Sequence, residues 1–314
     1  MAPPSADQII SGSDEEITFV LLERCQALVI KALSDSRYKD IRVNAICLPK
    51  FEPRVFTYWR QDDPNNYVIS CNIGTAALIR RILVDANFHE LLPNSCVLLR
   101  TLHPDDVLTI AISLILCTLL YHELAHVVRF HLPYKISCAG EMNRNMEEIK
   151  GMCEVDADKW CSYLIAPEIS SQAAGIKCAI ANVLNMEQEH ILREVLSLYG
   201  LVLHLWFSFF NKTMFRISSF YPHPLIRSTR IAVGAADNID RKLIAPHLAI
   251  ERAAFVLEEL ASIEELLLSK AGIDQKPFDL ADEMSAIETR FDEVSRVLDP
   301  ELAEMVLKWS KSSV

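Results

Sequence analysis

The sequence predicts an α+β fold that is predominantly helical, with a small β-sheet early in the chain. Three observations predict it. Glycine is scarce, 8 of 314 residues, and proline is modest at 14. This argues against sandwiches, propellers and glycine-rich low-complexity chains. Apolar stretches opened by helix-capping signals recur along most of the chain. β-Branched and aromatic alternation is concentrated between residues 41 and 72. Hydrophobic residues make up 51% and charged residues 23%, a globular composition with ample length for a large core.

The elements follow in order. Ser13 and Glu16 form a capping box before Ile17, Phe19, Val20 and Leu21, which predicts a helix to about Ser34. Arg42–Leu48, Val55–Arg60 and Tyr67–Asn72 read as strands, and Asp62 to Asn66 as the turn of a hairpin. Gly74–Asp85 reads as a helix. His103, Pro104, Asp105 and Asp106 open a long helix through Phe130, because proline and acids suit a first turn. A loop is expected next, then a helix from Met146 to about Leu164, stopped by Pro167. Helices are expected at 171–184, 187–210 and 225–233, with Pro222 and Pro224 breaking the pattern. Helices over 246–268 and within 278–310 complete the chain. The organisation expected is an N-terminal helix (1–40), a mixed core (41–235) and a C-terminal helical extension (236–314).

The formal net charge is −11. A compact nucleic-acid binder carries a basic face, and no run of adjacent basic residues exceeds a pair such as Arg80-Arg81. Nucleic acid is not an expected partner. Nine cysteines are scattered without a CxxC. They form neither a disulfide framework nor a zinc-finger pattern, and they suit the reducing cytoplasm. No basic segment followed by an apolar one opens the sequence, so no secretory signal is expected. Val107–Tyr121 and Val195–Phe210 are uncharged for 15 and 16 residues. Both fall short of the roughly 20 needed to span a bilayer. Buried helices are expected, with membrane association of Val195–Phe210 as the alternative.

Residues 122–126 read His-Glu-Leu-Ala-His. Positions i and i+4 lie within about 40° on a helix, so His122 and His126 can ligate one metal ion. Imidazole suits Zn²⁺. Glu123, beside the first ligand, is placed as the general base toward a water at an open position. A catalytic zinc needs a third protein ligand. Arg129 and Leu132 replace the glycine and histidine of an extended HExxHxxGxxH motif, so the ligand must come from elsewhere. Glu154 and Asp158 are again i and i+4. Glu154 is the expected ligand, and Asp158 the carboxylate that fixes a ligating imidazole's tautomer. Glu147, Glu148 and Asp156 compete for the ligand role. His89, His103, His131, His190, His204 and His247 have no partner at metal spacing and read as surface or satisfied core histidines.

HELAH followed by Glu154-Val-Asp-Ala-Asp158 resembles the gluzincin metallopeptidases. The run from Glu154 to Pro167 is similar to the second motif of ImmA/IrrE-type peptidases. Tyr221-Pro-His223-Pro-Leu-Ile-Arg227-Ser-Thr-Arg230 resembles the His-Pro…Arg motif of HtpX-like and Lit-type phage-exclusion peptidases. The resemblance covers about 105–232, and motif order is closest to the Lit-type group. It implies a zincin-like core with the sheet beside the HExxH helix, one zinc ion per chain and a protein or peptide substrate. It also implies that His223, with Tyr221 as an alternative, steadies an oxyanion, and that Arg227 or Arg230 braces the acidic residues. The substrate would pair with a sheet edge, for which Tyr67, Ile69 and Cys71 are the candidates. The activity expected is a zinc-dependent endopeptidase. The rival readings are a non-catalytic zinc-binding interaction protein and a membrane-associated peptidase. Oligomeric state is left open by the sequence.

Overall fold

The computed structural model describes residues 14–32, 41–60, 63–140, 145–180, 186–210, 224–241, 247–270, 289 and 296–304. The described chain is mostly helical with one three-stranded sheet. Its elements are α1 (Asp14–Ala32), β1 (Arg42–Leu48), β2 (Val55–Arg60), β3 (Asp63–Asn72), α2 (Gly74–Asp85), α3 (Pro104–Val128), α4 (His131–Ala139), α5 (Met146–Ile180), α6 (Gln188–Phe210), α7 (Pro224–Arg241) and α8 (His247–Lys270). Residues 296–304 are also helical.

α3 is the axis of the molecule. Pro104 occupies its first turn, and the His103 ring accepts the Asp105 N–H at 3.3 Å. Asp105 and Asp106 sit at the positive end of the helix dipole. Apolar side chains surround the helix from Val107 to Val128 and are buried on every side. Such a helix belongs in the middle of a core. It packs against α1, α2, α5, α6 and β2. Its hydroxyls are satisfied within the helix: Thr109, Ser113 and Thr118 each donate to the carbonyl four residues earlier.

The sheet order is β1-β3-β2, with β1 parallel to β3 and β2 antiparallel to it. This overturns the expectation that Tyr67, Ile69 and Cys71 form an edge. All three lie in the central strand, are fully buried, and face Val43, Ala45 and Cys47 on one side and Trp59, Thr57 and Val55 on the other. β3 takes the centre because its side chains are buried on one face and Ser70 and Asn72 are buried on the other. β1 and β2 are the two edge strands, and β2 is the one that lies against α3. β3 also begins earlier than expected. Asp63 pairs with Arg60 across a register shift, so the expected turn shrinks to residues outside the described set.

Three further expectations change. α5 continues through Pro167 to Ile180. Proline in a helix costs about 3 kcal/mol or more. Ile165, Ile169 and Ile176 are buried around it, each contributing about 1.5–3 kcal/mol, so packing outweighs the lost backbone bond. The expected loop after residue 130 contains α4. The expected boundary after residue 235 falls inside α7, where Ala232, Ala235, Ala236 and Ile239 join the same buried cluster as α1, α3 and α5. Val256, Leu260 and Ile263 of α8 belong to that cluster too. The described residues of all three expected segments therefore share a core; Leu298 and Leu302 build a satellite cluster with Tyr134, Cys138, Ile149 and Cys153. Most of the expected 278–310 helical stretch lies outside the described residues.

α3 and α6 are long and apolar enough to cross a membrane by length and composition, and 89% of the apolar window of each is buried inside the protein. Buried core helices of a globular protein pass the same test.

Candidate metal centre

Two helices build the site. α3 supplies His122 and His126 from adjacent turns, and α5 crosses it to supply Glu154. The His122 and His126 Nε2 atoms lie 3.2 Å apart. Glu154 Oε2 is 3.0 Å from His122 Nε2, and Oε1 is 3.5 Å from His126 Nε2. A tetrahedral ion with bonds of about 2.0–2.1 Å separates its ligand atoms by roughly 3.3 Å. The three side chains therefore could hold one metal ion. Their side chains are 12%, 8% and 23% exposed, so the cluster is mostly buried but not sealed.

The charges favour a cation here. Burial works against a charged His122 ring, yet the Asp158 and Glu154 carboxylates outweigh it and raise its pKa to about 10. Burial likewise penalises the Glu154 carboxylate, but the two imidazoles hold its pKa far below the usual range. The pocket thus gathers two carboxylates around the two imidazoles, surroundings that favour positive charge where their Nε2 atoms face each other.

Each imidazole is held from behind. His122 Nδ1 contacts Asp158 Oδ1 at 2.8 Å. Asp158 in turn receives Arg227 from α7 in a two-pronged bond, Nε at 2.6 Å and Nη2 at 2.9 Å. The Arg227 guanidinium also lies 4.4 Å over the Phe207 ring of α6. Arg230, three residues on, donates instead to the Val155 carbonyl at 3.2 Å. Of the two arginines left open by the sequence, Arg227 is the one on Asp158. Asp158, buried against desolvation, is nonetheless held well below the ordinary carboxylate range by Arg227 and His122.

His126 has a different support, and the sequence reading passed over it. Its Nδ1 lies 2.8 Å from Nδ1 of His131, whose Nε2 is 2.9 Å from Asp156 Oδ2. Asp156 was a competitor for the ligand role; it points away from the ion position, toward His131 and the Arg129 guanidinium, Nε at 2.8 Å. Arg129 also pairs with Asp299, and Tyr134 donates to Glu301. Spacing alone could not reveal His131. It reaches His126 only because Phe130 adopts a left-handed φ of 58° and turns the chain between α3 and α4.

Lys135 of α4 is a second residue that the sequence did not single out. Its Nζ lies 3.5 Å from Glu154 Oε1. Glu147 and Glu148 sit in the first turn of α5, more than one turn before Glu154. Glu123 lies beside the ligands: at 100° per residue it is about 60° from His126 around the helix. It is partly buried, and its backbone carbonyl accepts the Thr57 hydroxyl of β2 at 3.2 Å. The β2 edge of the sheet therefore passes directly beside the candidate base. His223 and Tyr221 lie outside the described residues.

Cys25, Cys71 and Cys153 are buried thiols, each pushed up to about 12 mainly by burial, and no cysteine of the chain is in a disulfide. They offer no thiolate ligand to the site. Comparison with known proteins adds no relative: no family model, no curated protein and no solved structure matches the chain.

Proposed function

We propose that this chain is a zinc-dependent endopeptidase of the gluzincin type. The observation that carries the reading is the convergence of His122, His126 and Glu154 within 3.0–3.5 Å, with Glu123 next to them on α3. Two histidines and a carboxylate leave a tetrahedral ion one position short. A purely structural site closes that position and has no need of an adjacent base. When bound, the ion supplies Lewis acidity toward a carbonyl and acidifies water.

The chain's own groups do the rest. Glu123 accepts a proton from the attacking water and returns it to the leaving amine, so the water adds across the amide with no net proton change. Asp158 accepts the His122 Nδ1 proton and keeps the Nε2 lone pair aimed inward. Arg227 holds Asp158 in that role. The substrate backbone pairs with the outer side of β2, not with β3, because β2 has one strand neighbour among the described residues and touches Glu123 through Thr57. The resemblance to Lit-type peptidases, and the oxyanion role of His223 or Tyr221, belong to this proposal and rest on motif alone.

The test pairs metal content with cleavage. Purified wild-type protein is expected to hold one zinc and to cleave a peptide library. Glu123→Gln keeps the metal and loses cleavage by a factor of at least 10²–10⁴, the range of general-base catalysis. Glu154→Ala loses the metal. Equal zinc in wild type and Glu154→Ala removes the ligand assignment, and cleavage by Glu123→Gln at the wild-type rate removes the base.

A further inference from the structure

We propose that His131 is a positioning residue of the metal centre, acting on His126 as Asp158 acts on His122. The inference rests on the metal reading above and extends it to a residue that carries no part of the HExxH motif. Four observations converge on it.

First, the two rings meet edge to face, with centroids 5.0 Å apart and Nδ1 atoms 2.8 Å apart. With the His126 Nε2 lone pair facing the ion position, its proton sits on Nδ1. Among the described residues, the acceptor placed to take that proton is Nδ1 of His131. The His131 proton then sits on Nε2 and is donated to Asp156 at 2.9 Å. Each proton in the chain has one donor and one acceptor, and Arg129 closes it on Asp156.

Second, His131 is 0% exposed and Asp156 is 3% exposed. Burial this complete disfavours a charged ring. A neutral ring can accept from His126; an imidazolium could not. Third, the chain is bent to place it. Phe130 holds φ at 58°, which an L side chain adopts at a cost of roughly 1–2 kcal/mol. Strain of this kind gathers at functional positions, and here it seats His131 at the first turn of α4. Fourth, the two imidazoles are supported by different helix pairs. His122 is backed by α5 and α7 through Asp158 and Arg227, and His126 by α4 and α5 through His131 and Asp156. One support cannot replace the other.

The test measures zinc affinity by competition with a chromogenic chelator on three purified proteins. His131→Leu keeps the buried volume and removes both polar atoms. Its zinc dissociation constant is expected to rise about 10–100-fold, the usual effect of losing such a partner. His131→Gln places an acceptor and a donor on one planar group and is expected to recover most of that loss. A merely space-filling role predicts the reverse order, with His131→Leu the milder variant. Because a buried substitution can fail to fold, the wild type supplies a second readout. With ¹⁵N-labelled histidine and zinc bound, a scalar coupling is expected across the Nδ1–H···Nδ1 hydrogen bond between His126 and His131. Wild-type affinity in His131→Leu, or no coupling in a zinc-loaded sample, overturns the inference and leaves the metal site standing. Failure of the wild type to take up zinc overturns both.

Discussion

At the scale of single residues, the two histidines of α3 differ in how firmly the protein holds them. His122 backs onto a carboxylate that is itself gripped by a guanidinium; His126 backs onto a neutral ring. Asp158 is therefore the more consequential support. Asp158→Asn leaves an acceptor near His122 but removes the charge, and it strands Arg227 beside a neutral amide. Zinc affinity is expected to fall by about 10–100-fold, measured by chelator competition. An unchanged affinity would assign Asp158 to fold stability alone. Much of this was legible from sequence. His122 with His126, and Glu154 with Asp158, are i, i+4 pairs, and a helix places such pairs on one face whatever surrounds them. Choosing Arg227 over Arg230 was not legible. Both lie on α7 less than one turn apart, and only the packing of α7 on α5 decides which reaches Asp158 and which reaches the Val155 carbonyl.

At the scale of elements, the path from β1 to α2 is tightly fitted. Residues 48–51 fold back so that Gly74 N donates to Lys50 O at 3.0 Å. A Cβ at Gly74 would lie 2.0 Å from the Phe51 carbonyl oxygen. That neighbour is backbone and cannot rotate aside. Gly74→Ala is expected to destabilise the protein by about 1–3 kcal/mol, typical of overpacking, and a lowered thermal midpoint checks it. Strand identity was readable because Val55–Arg60 and Tyr67–Asn72 alternate. Strand order was not, because it depends on pairings between segments distant in sequence. α5 shows the same limit from the other side. Pro167 is a local stop signal, and the isoleucines around it win only because α3 and α6 are there to bury them.

At the scale of the whole molecule, the three candidate ligands come from helices that run through the main core. α3 is wrapped by apolar side chains, and α5 touches α3, α4, α6 and α7. An ion bound between α3 and α5 ties these layers together. Binding to the folded state alone stabilises it by about 2.7 kcal/mol when free ligand is a hundredfold above its dissociation constant. Saturating zinc is accordingly expected to raise the melting temperature, and a chelator to lower it, with Glu154→Ala insensitive to both. A midpoint indifferent to zinc in the wild type would separate the cluster from metal binding. The three expected segments do not show as independent units, because α1, α7 and α8 all place side chains in one core.

The corner at Phe130 has one more consequence. Its ring is 3% exposed, so opening the α3–α4 junction means drawing an aromatic side chain into water at a cost of about 1.5–3 kcal/mol. Glycine would relax the dihedral and surrender that anchor. The junction therefore behaves as a latch fastened by hydrophobic weight, and amide hydrogens of Arg129 and Phe130 should exchange with solvent as slowly as those deep within the helices they join.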